Sequence, residues 1–502
     1  PKFAGWSPVF PGVAEEQSSW LRAEGLAADV QHYGQWLRDE AEKRIGHLYP
    51  KVTAPGGTEH TVIAWKWART IISPNPANPI ETPLVNSWWL SKKKGKEAWV
   101  KATVVDGQVQ YEVQHNADGP KKGEDGTRVG RGGISLADGT PISADYIKEQ
   151  GVQRGLGSHL IAIVAEDKKG RLYLSPNAEH MAASLVKAPD DVPRQELPYD
   201  PRNIWTPAYG LTNFSDLFTN RQLVALTTLS DLVSEARSKV LEDALAAGIL
   251  AGERLEDGGV GAEAYADAVA TYLALGVSRT ADYNNALCTW HTTRDTVTHL
   301  FTRQAIPMTW DYIETNVLSN SSGNFLGQLK IVAKVIQRLP AEISGEVRQI
   351  SATSRDYADL VVSTDPPYYD NIGYSDLSDF FYVWLRKSLR TIHPSIVGTM
   401  LTPKADELVA NPYRHDGKQG AEKFFIEGFN SVFHRIREDD ANPDVPMTVY
   451  YAYKQQDSGK DGTSSTGWHT LLDGLIQSGW EITATWPMRS ELKNRMLSQG
   501  TN

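Results

Sequence analysis

The sequence predicts an α/β protein: an incomplete parallel core that carries inserted β-rich and helical modules. Three observations predict it. Residues 447–453 and 480–486 read as strands that alternate with helical patterns over 424–436 and 468–478, and such alternation argues for a parallel sheet. The apolar run Leu360-Val361-Val362-Ser363 reads as a buried strand that stops abruptly at Asp365-Pro366-Pro367-Tyr368. Ahead of it lie a stretch rich in β-branched and aromatic residues, 60–174, and one with helical spacing, 200–340.

Taken in order, residues 1–50 are a loop and a helix attached to the core. Leu26, Val30, Tyr33, Leu37 and Ala41 recur at helical spacing, which predicts an amphipathic helix over 18–44. Residues 51–199 form the β-rich module, with strands at 61–65, 98–104, 109–113 and 160–164 and a hairpin turn at Asp106-Gly107. The polar, glycine-rich stretch 116–133 reads as a mobile loop. Residues 200–340 form the helical module, with helices at 217–246, at 262–290 with a kink near Gly276, and at 327–339; 294–303 continues the helical character. Residues 341–502 complete the core, with a short strand at 347–350, the central strand at 360–363 and a helix at 377–389. Leu377, Phe380, Phe381, Trp384 and Leu385 share one stripe of that helix, as core packing or as a wall of a base pocket.

The abrupt stop at Asp365 carries the chemistry. Proline has no N–H to give a ladder, and each proline holds the residue before it extended. The carboxylate of Asp365, the carbonyl of Pro366 and the ring of Tyr368 are therefore presented on a stiff lip. That lip stands at the C-terminal end of a strand, where open α/β sheets bind ligands. An exocyclic amine on a nucleobase is a poor nucleophile because its lone pair is delocalised. Two acceptors set against its N–H bonds favour a more pyramidal nitrogen, and an aromatic ring can stack on the base. A methyl sulfonium on the far side would complete an in-line transfer by positioning. The plainer alternative is a strand followed by a proline-rich turn.

Composition bounds the answer. At 502 residues the chain can hold two to four domains, and its net charge of −10 excludes a generally basic nucleic-acid coat. The single cysteine, Cys288, excludes a disulfide framework and fits a reducing cytoplasm. No apolar stretch approaches membrane-spanning length and no signal sequence is visible, so no membrane partner is expected.

The run from Ser363 to Arg386, with Asp365-Pro366-Pro367-Tyr368 at its head, resembles the amino-methyltransferases of DNA. Within them it is similar to the adenine-specific DNA methylases that carry an inserted zinc ribbon. Trp88-Trp89-Leu90-Ser91 with Lys92-Lys93-Lys94-Gly95, Tyr209-Gly210-Leu211, Ala281-Asp282-Tyr283-Asn284 and Asn411-Pro412-Tyr413-Arg414 extend the likeness over nearly the whole chain. The resemblance implies a Rossmann-like class I methyltransferase core that uses S-adenosylmethionine to methylate adenine N6 in DNA. Asp365, Pro366, Pro367 and Tyr368 are the implied catalytic motif, and Asp370, Asn371 and Tyr374 are candidates to shape the substrate pocket. DNA is the implied partner, with defence-system proteins as further candidates.

Three departures stand out. No glycine-rich loop follows a strand, since Gly258-Gly259-Val260-Gly261 follows Glu256-Asp257, so cofactor-binding residues are unassigned. Ser351-Ala352 occupies the place of an acidic residue that often meets the cofactor. The ribbon turns read Ser73-Pro74-Asn75-Pro76-Ala77-Asn78 and Ser135-Leu136-Ala137-Asp138, without cysteines, so no zinc is expected and metal analysis of purified protein should find none in stoichiometric amount. The chain is expected to be an internal fragment, with the missing glycine loop upstream and a final core strand downstream.

Lys92, Lys93, Lys94 and Lys96 beside Trp88, Trp89 and Trp99 suit a phosphate backbone with bases stacked nearby, or form a solvated hairpin over packed tryptophans. Arg414 lies in a polar stretch that either contacts DNA phosphates or is a surface loop. His291, His299 and Cys288 are read as core or surface residues in preference to a metal site, because no carboxylate pair accompanies them. Methylation of RNA or of cytosine N4, and a non-catalytic DNA-binding subunit, remain rival readings.

Overall fold

The computed structural model describes residues 2–12, 20–54, 56–121, 123–168, 170–369, 372–439, 442, 444–451 and 466–486. The protein is mixed α/β with several small sheets. By contacts it divides into two compact units, Pro1–Gly345 with Leu377–Leu401, and Glu346–Asp376 with Thr402–Asn502.

The first unit is organised by Val62–Ile72, a strand buried along nearly its whole length. It pairs antiparallel with Gly157–Asp167 on one side and with Asp311–Thr315 and Glu81–Leu84 on the other; Gly170–Leu174 extends the sheet beyond Gly157–Asp167. Asp311–Thr315 lies inside the stretch expected to be helical, so the two inserted modules share one sheet. Its five residues are all buried, and so short a run carries no periodicity that separates strand from helix. The Ala98–Val105 and Gln108–Gln114 hairpin forms as expected, with Asp106 at φ 50° and Gly107 at φ 75° in the turn that the strand twist demands.

Helices Glu24–Ile45, Asn220–Ala246, Ala262–Tyr283 and Phe325–Arg338 pack on one another. The third runs unbroken past Gly276, whose missing side chain admits Leu329: a Cβ there would lie 2.7 Å from Leu329 Cδ1. It ends at Tyr283, and 289–298 is a β-hairpin, not more helix, its β-branched threonines pairing as Thr289–His291 with Thr296–Thr298. The helices Ala144–Arg154 and Ala178–Ser184 were not legible in the pattern.

Asp29 fastens the N-terminal segment to the first helix. It accepts from Val9 N (3.0 Å), Phe10 N (3.3 Å) and the Tyr265 hydroxyl (2.5 Å). Burial outweighs these donors and pushes its carboxyl from 3.8 up to about 6. A raised folded value means that the stabilising contribution is full below 3.8 and is lost as pH rises through about 6. Asp29→Asn, fixed neutral, should therefore flatten the fall in melting temperature across that window in a pH series of thermal melts.

The turns at 73–78 and 135–138 meet through hydrogen bonds at Asp138. Asn75 Nδ2 and Asn78 Nδ2 donate to Asp138 Oδ2 at 2.7 and 3.1 Å, and Thr140 N donates to Asp138 Oδ1 at 3.0 Å. Ser73 and Ser135 are buried beneath. The donors, led by Thr140, hold the Asp138 carboxyl well below the usual carboxylate range. Its contribution is thus present above the ordinary carboxylate pKa and is lost as pH falls toward the lower folded value. Asp138→Ala should lower the melting temperature at neutral pH and erase this acid-dependent part, which an acid series of melts would reveal.

The second unit has a core of Phe425, Phe429 and Phe433 on one face of Gly417–Glu438, packed with Leu471 and Leu475 of Thr466–Gln477. Its sheet is smaller than the sequence implied. Ser363–Thr364 pairs in parallel with Thr448–Val449, as strand–helix alternation required. However, 347–350 and 480–486 have no ladder partner among the described residues, and Val347, Val361 and Trp486 are 98%, 60% and 80% exposed. The central strand is therefore short and half exposed, not buried, because it is bonded to a single neighbour.

Candidate active site

The lip begins where the parallel ladder ends. Thr448 N donates to Val362 O (3.0 Å) and Tyr450 N to Thr364 O (2.8 Å), and the next residue is Asp365. Asp365 is exposed, while Pro366, Pro367 and Tyr368 are half-buried, so no packed side chains cover the carboxylate. The Tyr368 hydroxyl donates to Asp365 Oδ1 at 2.9 Å. Its ring stands edge-on to Tyr451, which follows the neighbouring strand, with centroids 5.4 Å apart. Tyr374 opens the helix Tyr374–Leu389 and is partly exposed. Burial pushes its phenol up, and the Asp365 and Glu407 carboxylates add to the shift, which sets Tyr374 in the electrostatic neighbourhood of the lip. Asp370 and Asn371 lie outside the described residues.

Segment 402–414 straps the loop that follows the lip. Ala410 N donates to Tyr369 O at 2.8 Å. Glu407 accepts from Ser375 N (2.8 Å) and Ser375 Oγ (2.6 Å), and Thr402 Oγ1 donates to Ser375 O (3.0 Å). Arg414 joins Asp376 Oδ2 (2.5 Å) to Glu407 Oε2 (2.8 Å). Burial of Asp376 pushes its carboxyl up even against Arg414. Arg414 is accordingly an internal brace, its guanidinium held by two carboxylates. Sequence reasoning missed Ser375, Asp376 and Glu407; the acid and base seven residues apart, Glu407 and Arg414, were the available signal.

The aromatic stripe after the motif is core. Phe380 stacks on Phe218 with centroids 5.6 Å apart and meets Phe301 at 5.2 Å, while Trp384 stands edge-on to Phe218 at 5.4 Å. Ser351 turns the chain through a bond to Thr353 Oγ1 (2.8 Å) and belongs to no strand.

Gly258 to Gly261 does not fit a cofactor cradle. It follows coil, and a Cβ on Gly259 would lie 2.0 Å from Glu253 O and one on Gly261 2.3 Å from Ala251 O, so these glycines serve close backbone approach. Cys288 is buried, His299 Nδ1 is held by Asp282 at 2.8 Å and His291 by Thr293 at 3.1 Å. Among the described residues no group of three or more His, Cys, Asp or Glu side chains is placed to hold a metal. No described helix is long and apolar enough to cross a membrane.

In the first unit, Lys92 lies over the Trp89 ring at 5.5 Å and Lys93 pairs with Asp295 at 2.8 Å, whereas Lys94 and Lys96 are exposed. Trp88 is buried, and the indole N–H groups of Trp89 and Trp99 bond Pro120 O (3.1 Å) and Asn116 Oδ1 (3.0 Å). The tryptophans therefore build the hairpin, and the exposed cations are what it offers outward. No family model, no curated protein and no solved structure matches this chain.

Proposed function

We propose that this chain carries the amine-gripping part of a Rossmann-like class I DNA methyltransferase, acting on adenine N6 with S-adenosylmethionine as methyl donor. One observation carries the reading: an exposed carboxylate, a prolyl carbonyl and an aromatic ring stand together where a parallel strand ends. With the adenine flipped out of the duplex, its two N–H bonds point at Asp365 and at the Pro366 carbonyl. Drawing on both hydrogens returns the lone pair to nitrogen and orients it for in-line attack. The amine must give up one proton on methylation, and Asp365 is the adjacent acceptor. Tyr368 holds one carboxylate oxygen at rest and supplies its ring to the base. The strap through Arg414 and Glu407 fixes the loop from which Tyr374 projects.

The donor supplies an electrophilic methyl group on sulfur. Among the described residues none forms a glycine-rich loop after a strand that would hold it. The test is product analysis: incubation with DNA and isotopically labelled donor, then digestion to nucleosides. Labelled N6-methyladenine is expected. Label in N4-methylcytosine or only in RNA would redirect the activity to the rival amines, and no label in any nucleic acid, with donor binding also absent, would favour a non-catalytic subunit.

A further inference from the structure

Two exposed apolar faces of the first unit carry opposite charge. The first lies on Phe325–Arg338. That helix buries Phe325, Leu329, Ala333 and Ile336 against Glu24–Ile45 and Ala262–Tyr283. Ile331, Val335 and Leu339, four residues apart, stay exposed beside that stripe, Val335 by 56%. Lys330, Lys334 and Arg338 form a second exposed row at the same spacing. No Asp or Glu lies between Glu314 and Glu342, so nothing on the helix offsets this charge, although the whole chain has a net charge of −10.

The second face is the loop 249–261 between Asn220–Ala246 and Ala262–Tyr283. Its two limbs are bonded together: Ala262 N donates to Leu250 O at 2.8 Å and Glu263 N to Ala251 O at 3.1 Å. Leu250, 85% exposed, and Val260 are left on the outside. Ile396 is exposed on the adjoining segment, which the loop holds through Ser395 N to Glu256 Oε1 and Arg254 Nη2 to Thr391 O, both at 3.1 Å. Glu253, Glu256 and Asp257 are exposed on the same loop. Arg254 is held by Asp267 at 2.7 Å and Lys2 lies on Gly258 O at 2.8 Å, so the face is acidic on balance.

Exposed aliphatic groups on both faces, with opposite charge beside them, make the two complementary. One chain cannot close the pair on itself. The loop meets its helix at Ala262, whereas Phe325–Arg338 packs at Gly276, about 20 Å along the same unbroken helix at about 1.5 Å per residue. Pairing the basic face with its own copy would set two cationic rows together, and a nucleic acid would leave the aliphatic row in water. We propose that two copies of this chain associate about a two-fold axis, each laying the 330–339 face of its helix on the 250–260 loop of the other. A two-fold axis closes two such contacts at once. The dimer goes beyond the proposed methyl transfer and does not depend on it.

The experiment measures the mass of the full chain by analytical ultracentrifugation over a concentration series, without DNA or methyl donor. A shift from one copy to two is expected, weakening as salt screens the charges. Lys330→Glu with Lys334→Glu, or Glu253→Lys with Asp257→Lys, should each weaken dimerisation about tenfold or more, because like charges then face each other. Val335→Ser with Leu250→Ser should weaken it without altering charge. The two charge-reversed proteins mixed in equal amounts should dimerise again, since each contact regains opposite signs. Thermal melts establish that the variants fold. A wild type that stays monomeric would overturn the proposal and leave the helix face to a different acidic partner. Charge-reversed variants that dimerise unchanged, a mixture that stays monomeric, or mass growing past two copies would overturn it as well. Absence of methyl transfer leaves the dimer standing, and its failure leaves the lip chemistry untouched.

Discussion

Asp365→Ala is expected to abolish methyl transfer while leaving the melting temperature where it was. The carboxylate is exposed and its one hydrogen-bond donor among the described residues is Tyr368, at 2.9 Å, so its removal strips no core contact seen there. Surface changes of this kind stay within about 0.5 kcal/mol of neutral. Chemically the loss is large, because removing one group that stabilises the transition state costs about 100- to 1,000-fold in rate. The prolyl carbonyl alone cannot restrain both N–H bonds. Tyr368→Phe keeps the ring and loses only the hydroxyl contact, so it should retain most activity, whereas Tyr368→Ala should not. Rate measurements on labelled donor, beside melts of each variant, check the set; undiminished turnover in Asp365→Ala would remove the mechanism.

Arg221→Ala should produce the largest loss of stability in the first unit. Arg221 and Glu314 are fully buried and meet in a two-pronged pair, Nε to Oε1 at 2.9 Å and Nη2 to Oε2 at 2.8 Å. Arg221 also donates to Leu48 O at 2.9 Å and lies over Trp65 at 4.0 Å. Glu314 accepts further from Thr219 Oγ1 (2.8 Å) and Trp67 Nε1 (2.9 Å). The network thus ties the large sheet to the start of Asn220–Ala246 and to the chain after the first helix. Truncating the arginine strands a carboxylate away from water, which costs about 3–5 kcal/mol. Arg221→Met with Glu314→Gln, which buries no charge, should recover part of it. Denaturant melts of the single and double variants decide this; equal loss in both would mean that packing, not the unpaired charge, governs the site.

What was legible in the sequence follows from where the signals lie. The stripe Leu26, Val30, Tyr33 and Leu37 gave the body and end of its helix, which starts at Glu24 and not near 18, because burial of one face repeats every turn. Asp106-Gly107 marked its hairpin through backbone preference alone. Asp311–Thr315 was missed because five buried residues hold no period, and its partner in the ladder lies some 240 positions away. At the lip, proline stiffness and the order carboxylate, carbonyl, ring could be read from four residues. The strap could not, since it joins Tyr369 and Ser375 to residues 27 to 41 positions later through backbone and side-chain bonds. No local pattern announces such a closure.

The joint at Asp138 sets what governs assembly of the β-rich module. A thiolate knuckle gathers negative sulfurs that repel one another until a cation arrives, so its formation waits on metal supply and fails under oxidation or chelation. Here a lone anion collects neutral amides from a facing turn, and the parts attract from the outset. The hairpins can close as soon as both have left the ribosome. Their vulnerability lies in acidity and in chemical loss of the amides, so deamidation of Asn75 or Asn78 would set two like charges against each other and pry the turns apart.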